Sequence, residues 1–274
     1  MDNDGFNSYQ PPQNNPFGEP KPPRGETPYY RPRDFRAAAR NALRGFWTLA
    51  VIVTLVAAIL GGVSSVSAPS LDFNFGEEDI SMEEIQQIPG ASENPFVAVM
   101  QYVKEYYDQH PALKVISGIL GVLAMVQFVV GGPVMLGYTR FKLHRMDGEE
   151  AKFSDLFSAF DQFIEGLWMR VRTFLQVFAW TLLFIIPGIV AAYRYAMVPY
   201  LMAEYPDMSV SEAFQRSKTL MKGRKGDLFL LHLSFIGWWI IVGLTLGVAS
   251  LWVSPYQQMA ETAFYRNLSG EVVR

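Results

Sequence analysis

The chain contains no cysteine. Disulfides, thiolate metal sites and cysteine nucleophiles are therefore excluded. Histidine is almost as scarce: His110, His144 and His232 lie far apart in different kinds of segment, so no zinc site is expected. Charge is sparse as well. Of 274 residues 18% are charged, against about 25% in an average soluble domain. The net charge of −3, without arginine-aromatic interleaving, argues against nucleic acid as a partner. No G-x-S-x-G or Walker loop occurs, and Ser, Asp and His show no hydrolase spacing. The chain reads as a non-enzyme with no catalytic residue, metal or cofactor.

What it has in quantity is apolar sequence, in discrete blocks. The longest, Phe174 to Tyr205, is interrupted at Pro187-Gly188 and carries one arginine, Arg194, in its second half. About 20 apolar residues span a bilayer, so the run is one long span or two limbs folded at Pro187-Gly188. Its flanks choose between the two. Arg170 and Arg172 precede it, and Arg216, Lys218, Lys222, Arg224 and Lys225 follow it. Basic residues stay on the cytoplasmic side, so the run enters and comes back. Both limbs are short, and they either cross fully or form a re-entrant loop.

The same grammar orders the rest. Residues 1–32 hold eight of the 17 prolines and read as a disordered cytoplasmic tail. Arg33, Arg36, Arg40 and Arg44 form a basic helical face leading into a first span, Leu49 to Val66, which puts the amino terminus inside. Val66-Ser67-Ala68 mimics a signal-peptide cleavage site, but the basic region starts too late and Pro69 obstructs cleavage. Residues 69–114 form an acidic extracytoplasmic loop without calcium-ligand spacing. Within it Asn94-Pro95 starts an amphipathic helix with Phe96, Val99, Met100 and Val103 on one face. A second span, Val115 to Leu136, returns to Arg140, Lys142 and Arg145, and an inner segment follows with a stripe of Phe153, Leu156, Phe157 and Phe160. Ser209 with Glu212 makes a capping box before another amphipathic inner helix. The last apolar block, Leu228 to Val253, ends at Pro255-Tyr256 before a polar helix, with residues 269–274 as a tail.

Short matches among Leu43–Leu55, Ile164–Val177 and Met221–Leu233 suggest an internal repeat. The expected fold is all-α: a polytopic helical membrane protein, residues 33–268, of three hairpins (about six limbs) with amphipathic inner-surface helices and both termini inside. ALRGFW, IIPGIVAAYRYAMVPYLMAEYPDMSVSEAFQRSKTLMKG, LHLSFIGWWI and TLGVASLWVSPYQQMAETAFYRNL resemble a bacterial multi-pass membrane family of unknown function. More distantly the chain is similar to the membrane domain accompanying some glycerophosphodiester phosphodiesterases. The resemblance implies the bacterial plasma membrane and supplies no activity.

Arg194 is the strongest polar candidate, because an arginine in a lipid-facing limb must snorkel, pair or line a wet cavity. Snorkelling beside a shallow turn at the outer surface is favoured over cavity lining. Glu204 lies ten residues on, about 15 Å along a helix and too far to pair directly. With His232, Arg216 and Lys222 these residues form the candidate set for a cavity or a lipid-headgroup contact. His232 reads first as a polar contact between helices. Two functions remain: a scaffold or assembly factor meeting other membrane proteins or anionic headgroups, or a transporter or lipid-handling protein with a cavity lined by Arg194.

Overall fold

The computed structural model describes residues 31–63 and 108–272, with the single positions 97, 100 and 104 between them. The Pro-rich tail, most of the acidic loop and its amphipathic helix, the mimic cleavage site and the last two residues lie outside the described residues. Two compact units form: Met1–Pro69 with Gln127–Arg274, and Ser70–Val126. Regular structure among the described residues is helical throughout. The helices are α1 (Pro32–Leu43), α2 (Trp47–Ile59), α3 (Pro111–Met146), α4 (Phe163–Leu183), α5 (Ile185–Tyr195), α6 (Val198–Glu204), α7 (Val210–Leu220), α8 (Lys225–Leu233), α9 (Ile236–Leu244) and α10 (Ser250–Val272). Phe153–Phe157 and Phe160–Gln162 are 3-10 turns.

Among the described residues three segments are long and apolar enough to cross a membrane: Lys114–Met146, Ile185–Glu204 and Lys225–Leu244. The pair α1–α2, bent by 104°, makes a fourth if counted as one broken span. Of the about six expected limbs, the others among the described residues do not reach that length and composition. The 13 residues of α2 extend only about 20 Å, and α4 carries Glu165, Arg170 and Arg172 in its first half.

The α4–α5 pair is a hairpin, but its reversal is at Phe184, whose backbone is extended (φ −160°, ψ 149°). Pro187 and Gly188 are not the turn; they lie in the first turn of α5. A proline is tolerated there because the first N–H groups of a helix have no intrahelical partner. Gly188 has a packing reason instead, since an added Cβ would lie 2.9 Å from Thr181 Cα on the opposite limb. Another expected boundary also moves. The helix of the second span does not end near Leu136, because α3 runs on through Arg140, Lys142 and Arg145 to Met146.

In the first unit α2 runs antiparallel to the second half of α3, through Thr54–Tyr138 and Phe46–Phe141 contacts. α4 crosses α3 where two glycines meet: a Cβ on Gly132 would lie 2.5 Å from the Gly166 carbonyl carbon. The amphipathic helix α7 begins at Ser209, whose hydroxyl accepts from Glu212 N at 3.2 Å. Its apolar face (Val210, Ala213, Phe214, Ser217, Leu220) is buried against protein. The centre of the unit is α10. It does not stop at Pro255-Tyr256 but passes through Pro255, and nearly every side chain from Val253 to Tyr265 is buried. α1, α2, α8 and α9 pack around it.

Exposed apolar side chains concentrate on the free ends of these hairpins. Leu182 to Ile186 at the α4–α5 reversal are 61–76% exposed, and Leu244 and Leu246 after α9 are 80% and 95% exposed. In the second unit, α3 from Val115 to Val126 presents apolar residues on every side.

The glycine crossing yields the first test. Gly132→Ala should destabilise by about 1–3 kcal/mol, because overpacking outweighs the helix propensity alanine adds. Gly121→Ala, where a Cβ meets nothing within 4 Å, should be neutral or mildly stabilising. Thermal melting in detergent measures both.

Candidate functional site: a buried polar seam along the last helix

A helix enclosed on all sides and carrying Gln257, Gln258, Glu261, Thr262, Tyr265 and Arg266 must find a partner for each polar group. Three groups of side chains do this for all but the Gln258 Nε2 amide, which is buried with no hydrogen-bond partner among the described residues. In the first, His232 on α8 joins Tyr193 of α5 to Glu261. Tyr193 Oη lies 3.0 Å from His232 Nδ1, and His232 Nε2 lies 3.0 Å from Glu261 Oε1. A neutral ring fits by donating from Nε2 to the carboxylate and accepting the tyrosine hydroxyl at Nδ1. Gln257 Nε2 donates to Glu261 Oε1 at 3.4 Å, and Trp239 Nε1 donates to Gln257 Oε1 at 2.9 Å.

The second group is built on Lys142, which is 5% exposed. Its ammonium donates to Gln258 Oε1 (2.9 Å) and Tyr200 Oη (3.3 Å). It also sits 4.7 Å and 4.8 Å from the ring centres of Tyr138 and Tyr200. Ring faces and a carbonyl replace the water that a buried ammonium loses. Tyr138 shares a hydrogen bond with Thr54, 2.8 Å away on α2. Glu261 is close enough for its charge to act on Lys142.

In the third, Arg266 holds together the ends of three helices. Its guanidinium donates from Nε to Asp147 Oδ1 at 2.8 Å and pairs with Glu204 through Nη1. Tyr265 Oη donates to the other Glu204 oxygen. Burial raises the Asp147 carboxyl above its ordinary value, and the Arg266 charge opposes the shift without cancelling it. Tyr265 is pushed well up, by burial first and then by Glu204, so it remains a neutral donor.

The expected site residues thus separate. Glu204 and His232 are taken up by partners on α10, and neither faces Arg194 as a cavity partner. Arg216 pairs with Glu212 at 2.6 Å and packs over the Tyr205 ring. Lys222 is exposed in the turn after α7. Arg194 occupies the last turn of α5, ten residues from the reversal at Phe184, half-buried. Its guanidinium has no hydrogen bond or ion pair among the described residues, while its carbonyl accepts from Ser217 Oγ of α7 at 2.9 Å. Arg194 thus lies beside α7, at the end of α5 away from the reversal at Phe184. Lys142, Glu261, Arg266, Asp147 and Tyr193 were not foreseen in these roles. The one signal for them is Glu261 and Arg266 set among Ala260, Ala263 and Phe264, a small and apolar run atypical of an exposed polar helix.

Residues 169–271 match the model of a family described as protein of unknown function, DUF975. The match covers less than half of the chain. It takes in Tyr193, His232, Glu261 and Arg266 and leaves out Lys142 and Asp147. No curated protein matches the chain, and no solved structure does.

Two measurements test the seam. Lys142→Met takes the donor from Gln258 Oε1 and Tyr200 Oη and the nearby positive charge from Glu261, and should cost about 1–3 kcal/mol, the usual penalty for buried polar groups left unsatisfied. Adding Glu261→Gln should restore part of that loss, which a thermal double-mutant cycle reads directly. The second concerns pH. A carboxyl whose folded value is raised contributes stability that is present at low pH and is lost as pH rises through that value. Asp147→Asn cannot ionise, so wild type should gain stability relative to it as pH falls through the carboxylate range. A difference flat across that range would show that Asp147 carries no such penalty.

Proposed function

We propose that this chain is a multi-pass protein of the bacterial plasma membrane that acts as a non-enzymatic scaffold or assembly factor, with both termini cytoplasmic. Three apolar helical segments and the exposed apolar hairpin ends support embedding in a bilayer, where such surface is solvated by lipid. The observation that carries the scaffold reading is that the interior charged groups have hydrogen-bond partners inside the protein. Glu261 with His232, Lys142 with Gln258 and Tyr200, and Arg266 with Asp147 and Glu204 tie α3, α5, α6, α8 and α10 into one body. A transport pathway needs polar groups that exchange partners with a substrate or ion, and these already have internal ones.

The second reading, a transporter or lipid-handling protein, rests on Arg194, a charged group in an apolar segment without a partner among the described residues. Water access along α10 separates the two. The chain lacks cysteine, so single cysteines at Ala260, Thr262 and Ala263, all fully buried, need no background removal. In native membranes they should resist an impermeant maleimide until detergent denaturation exposes them. Rapid labelling at two of the three in the folded protein would mean an aqueous path beside the seam, and the transport reading would replace the scaffold.

A further inference from the structure

Deepening the membrane reading and resting on it, we propose that Arg194, Lys218 and Lys222, with Arg172 beside them, hold the phosphate of an anionic phospholipid headgroup. Four observations carry the assignment. Ile186, Val190 and Arg194 recur every four residues and share one face of α5. Ile186 is 74% exposed and Val190 42%, so Arg194 stands at the foot of an apolar stripe open to the surroundings. In a bilayer that is where acyl chain gives way to headgroup, and a long cationic side chain reaches the phosphate from there. The charge itself is available: among the described residues no acid or carbonyl takes it.

Helix α7 supplies the other cations. The Ser217–Arg194 hydrogen bond fixes α7 against the end of α5. Ser211 and Lys218 lie seven residues apart, which places them on one edge of α7, and Lys222 follows in the turn just beyond its end. That edge faces α4, because Arg172 Nη1 donates to Ser211 Oγ at 2.7 Å and its guanidinium lies 4.7 Å from the Phe214 ring centre. Phe214 in turn packs on Tyr195, the residue after Arg194. Lys218 and Lys222 are exposed and, like Arg194, unpaired among the described residues. Of the nearby acids, Glu212 pairs with Arg216 and Asp227 with Arg224, while Asp207, ahead of α7, is exposed and has no partner among the described residues. The α4–α5–α7 corner is thus a cationic boundary directly below an apolar surface. A lone phosphate would leave that apolar stripe bare, whereas a phospholipid covers it with the same molecule.

The test uses the full chain in nanodiscs of phosphatidylcholine, of equal parts phosphatidylcholine and phosphatidylglycerol, and of phosphatidylcholine with millimolar inorganic phosphate. Wild type should melt higher with phosphatidylglycerol and should enrich that lipid in its bound shell, by about five-fold for each cation engaged. Inorganic phosphate should not reproduce the gain. Arg194→Leu should lose most of it, Arg194→Lys should keep most of it, and the Lys218→Gln/Lys222→Gln pair should lower it, all melting like wild type in pure phosphatidylcholine. If Arg194→Leu does not fold, the lysine pair and the Arg194→Lys variant still decide. Equal enrichment in wild type and the lysine pair would overturn the site, and so would a full gain from inorganic phosphate. A protein that stays soluble and enters no nanodisc would overturn the membrane reading itself, whereas incorporation without preference for phosphatidylglycerol overturns only the headgroup site.

Discussion

The placement of α10 constrains everything around it. A helix with a carboxylate, a guanidinium, two glutamines and a tyrosine on its middle turns would normally lie in water, yet here protein covers it on all sides. An unpaired buried charge costs several kcal/mol, so each neighbouring helix must present a complementary group at a fixed height. His232 does so from α8 and Lys142 from α3, while Glu204 does so from the end of α6. These requirements pin the rotation and axial position of three helices more sharply than apolar contacts would, since leucine packing tolerates a shift that a hydrogen bond does not.

A related constraint explains the arginines. Broken helices leave carbonyls without partners at their C-terminal ends, and in apolar surroundings no water supplies them. Arg36 donates to Ser234 O at the end of α8, and Arg145 to Ala42 O at the end of α1. Arg170 donates to Gly61 O just past α2, and Arg140 to Ala203 O at the end of α6. A cation at a helix C-terminus also meets the negative end of the helix dipole. Several arginines that look from spacing alone like markers of the inner membrane face thus act as caps for other helices.

This bears on how much of the molecule could be read beforehand. The apolar segments, the N-cap at Ser209 and the return of the Phe174–Tyr205 run are visible because composition and local hydrogen bonding decide them. Phe184 could not be chosen over Pro187-Gly188, since a proline is equally at home in a turn and in the first turn of the helix that follows. Nor does the burial of α10 show, because polar residues on all its faces give no amphipathic period. Its partners are distant in sequence: Glu204 and Arg266 are 62 residues apart, and Lys142 and Gln258 are 116 apart. Pairings of that range depend on tertiary packing that no local pattern encodes.

The charges therefore divide by whether the fold has used them. Those on α10 and the groups facing it are neutralised internally, and moving any one means breaking several hydrogen bonds together. The cations at the α4–α5–α7 corner cost the fold little where they are, because their ends reach the surroundings. They contribute no comparable set of contacts to holding the helices together. A cation that does not stabilise its own chain in this way is free to respond to what lies outside it, whether lipid or another protein. The seam and the α4–α5–α7 corner are linked through α5, which carries Tyr193 toward His232 and Arg194 beside α7 on adjacent positions. Anchoring Tyr193 fixes the rotation of that helix, and adjacent residues differ by about 100° around the axis. The seam thus sets where the neighbouring arginine points.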